Sequence, residues 1–221
     1  MAVMGSNAPI VVPAAVEVVA AGRSARLAWV NEIGGLTYDV GEGLGRVFVK
    51  WVPPEWAPWL DAEFVRLEWA SQFLTVPCPI DGGSDESGAW LVTTPLDGES
   101  AVAPRWLDEP ARAVRVIGAG LRTLHELLPV ERCPFSWSAA ERVADARRRA
   151  SAGAIDPSRW HEDHQSLRVE QALELTADIP PIDVEVVCHR PGWEPLLLDA
   201  YGTDADPDRT RFYRLLWDLD P

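Results

Sequence analysis

Lysine is almost absent from this chain. Lys50 is the only one, and the other nineteen of its 20 basic side chains are arginine. Basic charge is scarce as a whole, since 34 Asp and Glu leave a formal net charge of −14. A face able to neutralise a phosphate backbone is not expected, which excludes nucleic acid and anionic membrane surfaces as partners. The same excess of acid would attract a polycation or a basic partner, or would simply keep the chain in solution. Cysteine is scarce too. Cys78, Cys133 and Cys188 form no Cys-x-x-Cys pair, and an odd count does not build a disulfide framework. A reducing, cytoplasmic setting is the expectation. His161 and His164 have an HxxH spacing but no neighbouring Cys or third ligand, so no zinc site is expected. No apolar run approaches the roughly 20 residues of a membrane span. The apolar stretch from Ala8 to Ala21 holds Pro9, Pro13 and Glu17 and follows no basic residue, so it fails as a signal peptide. There is no internal repeat and no low-complexity tract.

What is present centres on Lys50. It ends an extended run, Arg46-Val47-Phe48-Val49-Lys50-Trp51, behind a glycine-bearing turn segment, Asn31-Glu32-Ile33-Gly34-Gly35-Leu36-Thr37. Glu63 follows on a helical stretch. A compact ammonium beside a phosphate site, oriented by a carboxylate on a helix, is kinase chemistry. A GC-rich genome that has shed lysine codons would leave the same single residue, so the reading depends on its surroundings.

Those surroundings predict five strands and one helix before a change of composition at Pro95 to Pro104. Leu27 to Ile33, Leu36 to Val40 and Arg46 to Trp51 are strand candidates, with Gly41-Glu42-Gly43-Leu44-Gly45 as a hairpin loop. That glycine cluster is not a dinucleotide fingerprint, because no helix opens after it. Leu60 to Phe73 is a predicted helix, with Asp61 near its start and Glu63 one turn in. Cys78-Pro79-Ile80 and Ala89 to Thr94 are two more strands, with a turn at Asp81-Gly82-Gly83.

Beyond the composition change the pattern is helical. Pro110 to Leu128 aligns Val114, Ile117, Leu121, Leu124 and Leu128 on one face, with Gly118 and Gly120 allowing close packing against a neighbour. Ala139 to Ala150 carries Arg147-Arg148-Arg149 as a solvated face. Val169 to Ala177 is a third helix, Ile182 to Cys188 an apolar strand, and Asp206 to Leu219 a terminal helix with Pro207 near N1. The expectation is an α+β, protein-kinase-like two-lobe fold. Residues 1–96 form an N-lobe with a five-stranded antiparallel sheet and one helix, and residues 97–221 form a mainly helical C-lobe.

Four segments resemble the aminoglycoside 3′-phosphotransferases, a family that confers antibiotic resistance. Leu124-His125-Glu126-Leu127 through Cys133-Pro134-Phe135 is similar to their LHxL…CPF segment. Val186-Val187-Cys188-His189 resembles the strand entering their catalytic loop. Trp90-Leu91-Val92 resembles the strand entering their adenine hinge, and Tyr201-Gly202 through Leu216 their C-terminal segment. The resemblance runs from about Trp29 to Leu219. It implies ATP and Mg as cofactors and an aminoglycoside as small-molecule substrate. Lys50 would contact the α- and β-phosphates, held by Glu63. Gly34, Gly35 and Thr37 would lie in the turn over the phosphates. Thr93, Thr94 and Leu96 would belong to the segment presenting backbone groups to adenine. Glu162, Asp163, Asp218, Asp220 and the terminal carboxylate of Pro221 would face the aminoglycoside, in keeping with the acidic charge.

The resemblance breaks at one place. The family's loop reads His-Gly-Asp, with an asparagine five residues after the aspartate, and a metal-binding aspartate follows on a hairpin. Here His189 is followed directly by Arg190-Pro191-Gly192-Trp193, and what comes next resembles a much later part of the family. His189 thus marks a broken catalytic loop. No catalytic residue and no metal ligand is assigned, and the Mg site is expected to be lost. Asp199, in Asp199-Ala200-Tyr201-Gly202, mimics the metal motif, but its neighbours fit the later helical region better. A single internal deletion at about 189/190 accounts for the pattern. Such a deletion is expected to truncate the C-lobe and to expose Val186, Val187 and Leu196 to Leu198.

Overall fold

Five antiparallel strands make one sheet in the computed structural model of this chain, which describes residues 11–31, 33–101, 103–177, 193–204 and 206–219. The strands are β1 (Ala25–Val30), β2 (Leu36–Val40), β3 (Val47–Val52), β4 (Pro79–Asp85) and β5 (Gly88–Thr93), in spatial order β1-β2-β3-β5-β4. Register sets which side chains share a face. Lys50 pairs with Thr37 on β2 and with Leu91 on β5, and Phe48 pairs with Asp39 and Thr93. Directly paired residues lie on the same side and alternate residues follow them. One face therefore carries Thr37, Asp39, Phe48, Lys50, Leu91 and Thr93, and the other carries Tyr38, Val40, Val49 and Val92.

A helix covers part of each face. α1 (Ala14–Ala20) lays Val16 and Ala20 on Leu36, Tyr38, Val40, Val49 and Val92. Val16, Val40 and Val49 have no exposed surface, and each such side chain contributes about 1.5–3 kcal/mol of burial. On the Lys50 face, α2 (Ala57–Ala70) packs Leu60 against Val52, Ala89 and Leu91, flanked by Trp56, Phe64 and Leu67.

The chain divides into two compact units, Met1–Glu99 and Ser100–Pro221. The second is helical: α3 (Pro104–Asp108), α4 (Pro110–Leu127), α5 (Ala139–Ser151), α6 (Val169–Glu174), α7 (Glu194–Tyr201) and α8 (Pro207–Asp218). Ser138 and Glu141 form a capping box that starts α5, and the Asp206 carboxylate accepts the Asp208 and Arg209 N–H groups at the start of α8. α5 and α8 bury Ala139, Val143, Phe212, Tyr213 and Leu216 together. Beside them Ala146, Trp160, Ala172, Leu215 and Leu219 form a second cluster. Arg149 donates from Nη2 to the Leu219 carbonyl at 2.7 Å, a cation at the end of α8. So the basic run is not wholly a solvated face.

Several sequence expectations need correction. The turn at Asp81-Gly82-Gly83 is strand; the chain reverses at 85–88, where Asp85 Oδ1 accepts the Ser87 and Gly88 N–H groups. α2 starts at Ala57, so Asp61 lies beyond its first turn. The buried side of α4 runs through Ala113, Val114 and Gly118, while Ile117 is exposed. Leu197 and Leu198 are buried, contrary to the expected exposure, because α7 packs on α4. α1, α3 and α7 join the expected helices. The predicted strand Ile182 to Cys188, with Val186 and Val187, and also His189 lie outside the described residues.

Candidate functional site

Lys50 stands mid-sheet on β3, and the Glu63 carboxylate of α2 accepts a hydrogen bond from its ammonium. The pairing follows from local structure. β3 points residue 50 to the face that α2 covers, and Glu63 lies one helical turn beyond Leu60, whose burial holds the helix down. Both side chains are partly exposed, at 39% and 35%. An exposed ion pair of this kind contributes little to stability. Its consequence is directional, since it fixes one ammonium on an open face.

Around Lys50 that face is polar at one end and aromatic at the other. Thr37 lies opposite Lys50 and Thr93 opposite Phe48. Beyond Phe48 the buried Asp39 carboxylate accepts from Arg46 Nε at 2.8 Å and from Arg26 Nη2 at 2.8 Å. The Arg46 bond, seconded by Arg26, holds Asp39 below the usual carboxylate range. The Arg46 guanidinium lies 5.0 Å from the Phe48 ring centroid. None of Arg26, Asp39, Arg46 and Phe48 was a sequence candidate. Counting back in twos from Lys50 reaches residues 48 and 46 and would have found two of them.

The glycine turn precedes β2. Gly34 has a φ of +79°, and a Cβ there would lie 3.8 Å from Pro53 Cγ, just after β3. The expected phosphate-facing N–H groups are already engaged, because Gly35 N–H donates to Asn31 Oδ1 at 2.6 Å and Ile33 N–H to the same oxygen at 3.2 Å. In the expected hinge, Thr93 is buried and Leu96 exposed. The Thr94 N–H donates to Cys78 O at 2.9 Å, pairing its backbone with the start of β4. Pro95 has no N–H, so Leu96 supplies the next donor along this segment.

A profile of the phosphotransferase enzyme family matches residues 30–190, most of the chain. The chain belongs to that family. The chain is 38% identical over 133 residues to an aminoglycoside 3′-phosphotransferase of Streptomyces fradiae, and 36% identical over 132 residues to one of Streptomyces ribosidificus. Each alignment covers 59% of this chain and 49% of the relative, so the chain spans about half the length of the curated relatives it matches. Among solved structures, it is similar to an aminoglycoside 3′-phosphotransferase of type VIII at a TM-score of 0.68 and 25% identity, over 90% of this chain and 94% of the other. It also shares the fold of aminoglycoside phosphotransferase APH(3'')-Id from Streptomyces rimosus, at a TM-score of 0.65 and 20% identity over 92% and 95%.

The acidic candidates of the helical unit are placed differently from one another. Glu162 is exposed. Asp163 Oδ2 lies 3.2 Å from Arg214 Nη1 and 3.3 Å from His161 Nδ1. Asp218 is nearly buried, with both oxygens engaged: Oδ1 accepts the His161 N–H at 3.0 Å and Oδ2 pairs with His164 Nδ1. Its place in the structure is a latch between α8 and the 161–164 segment. Asp220 and Pro221 lie outside the described residues. Asp199 is exposed on α7.

For a nucleotide the residues present fit: one ammonium on an open face, held by a carboxylate, beside a glycine turn. Among the described residues no group of three or more His, Cys, Asp or Glu is gathered to hold a metal ion. Nor is any of their helices long and apolar enough to cross a membrane.

Proposed function

We propose that this phosphotransferase-family chain binds ATP on the Lys50 face of its sheet and descends from enzymes that phosphorylate a hydroxyl of an aminoglycoside. We further propose that it transfers phosphate poorly as it stands. The observation that carries the proposal is the Lys50–Glu63 pair on β3 and α2. The ammonium is a point charge for the α- and β-phosphates, and Glu63 keeps it aimed along the face. ATP would supply the phosphoryl group. Thr37 offers a hydroxyl beside the ammonium, and Phe48 and Thr93 offer an aromatic and a hydroxyl surface at the other end. The names of the curated relatives support the aminoglycoside as acceptor, and the net charge of −14 suits a polycationic one. Glu162 and Asp163 are the exposed acids proposed to meet it. Asp218 would act on it only through the segment it latches. The free thiols of Cys78 and Cys133 suit a reducing cytoplasm.

The expected impairment follows from the sequence after His189, where no aspartate precedes an asparagine by five residues. Without a group to position the acceptor hydroxyl and without acids to hold a metal, transfer loses several orders of magnitude in rate. A coupled assay with ATP and kanamycin tests this. The expected result is turnover at or near background, and turnover of about 1–100 s⁻¹, the usual range for kinases, would overturn it.

A further inference from the structure

We propose that the Asn31 carboxamide occupies the phosphate position of the glycine turn and sets how tightly the chain holds a nucleoside triphosphate. This rests on the nucleotide reading above and adds a residue to it.

Two donors of the turn converge on one side-chain oxygen. Asn31 Oδ1 accepts the Gly35 N–H at 2.6 Å and the Ile33 N–H at 3.2 Å. The Gly34 N–H donates to the Asn31 carbonyl at 3.3 Å, and Asn31 N–H to the Gly35 carbonyl at 2.9 Å. Two N–H groups of one turn directed at a single oxygen mark a position that an anionic oxygen can take. The amide fills the space beside Gly35: a Cβ there would lie 2.6 Å from Asn31 Nδ2 and 2.9 Å from Oδ1. So one of the two turn glycines makes room for a side chain and not, in this state, for a phosphate.

The turn lies at the Lys50 end of the strands. β2 leaves it and brings Thr37 opposite Lys50 two residues after Gly35. A phosphate oxygen bound to Lys50 and reaching the turn therefore meets Asn31 Oδ1 as its competitor. The exchange can favour the nucleotide, because hydrogen bonds to an ionised oxygen are roughly twice as strong as those to a neutral amide. Competition falls on the terminal phosphates and leaves the base and ribose untouched. Asn31 is accordingly a positioning residue that lowers triphosphate affinity without acting on the nucleoside.

The test is a fluorescence titration of mant-ATP and mant-AMP onto the full chain, its Asn31→Ala variant and its Lys50→Ala variant. Asn31→Ala is expected to bind mant-ATP about fivefold tighter, the worth of one hydrogen bond, with mant-AMP unchanged. Unchanged or weaker mant-ATP binding, or equal shifts for both nucleotides, would overturn the proposal and leave Asn31 as a turn former. If the native chain binds mant-ATP no better than Lys50→Ala, the nucleotide reading fails and this inference falls with it. Should Asn31→Ala not fold, Asn31→Ser carries the same test. The native chain offers one more readout: ATP must shift the Gly35 amide resonance, and an unmoved resonance in the bound chain contradicts the proposal.

Discussion

Gly118 of α4 lies so close to Leu197 of α7 that a Cβ on it would stand 2.7 Å from the Leu197 carbonyl oxygen and 2.9 Å from Ala200 Cβ. The contact is backbone against backbone, so neither side can yield by changing a rotamer. Gly120, two residues on, has nothing within 4 Å of its would-be Cβ. The two glycines therefore respond oppositely to alanine. Gly118→Ala is expected to lower stability by about 1–3 kcal/mol through overpacking, against a smaller gain in helix propensity. Gly120→Ala is expected to raise it by about 0.5–1 kcal/mol. Urea unfolding of both variants checks the signs, and equal effects would mean that α7 does not rest on Gly118.

The same seam gives a pH dependence. His125 Nδ1 lies 2.7 Å from the Tyr201 hydroxyl, and burial lowers the His125 pKa from its ordinary 6.5. The unfolded chain thus binds this proton more readily than the folded one. Stability is unaffected well above pH 6.5, where both states are neutral, and falls as pH drops below that value. His125→Gln is expected to flatten this part of the pH profile between pH 7.5 and 5.5. An unchanged slope in the variant would contradict it.

Asp218 makes two hydrogen bonds to the 161–164 segment, one of them to the buried His164. Asp218→Ala is expected to destabilise the chain by about 1.5–3 kcal/mol, the range for hydrogen bonds to a charged group. Melting temperature is the readout. A variant that melts with the native chain but loses affinity for kanamycin would assign Asp218 to substrate contact instead.

Much of the Lys50 face was legible because the signals there are local. A lone lysine at the end of an alternating strand, glycines before the preceding strand and a glutamate on an amphipathic stretch together specified β2, β3 and α2. β4 was not legible. It is an edge strand with little buried surface, and its glycines look like a turn. In the structure they make room for aromatic rings: a Cβ on Gly83 would lie 2.7 Å from Trp90 Cζ2, and one on Gly82 3.3 Å from Phe64 Cδ2. α1 was missed because Ala14–Ala20 has a single charge and gains its helical state from packing on the sheet. α7 was not delimited from the sequence; Pro195 sits in its first turn, where proline is tolerated. Asn31 and Asp39 escaped notice for one shared reason. Their importance lies in where side-chain oxygens end up, which spacing alone does not encode.

A calorimetric titration of a non-hydrolysable ATP analogue onto the native chain and onto Lys50→Ala decides whether Lys50 holds a nucleotide. The native chain is expected to bind, and loss of the ammonium to weaken binding at least about tenfold, as removal of a charged hydrogen bond does. Equal affinity in the two proteins would contradict it.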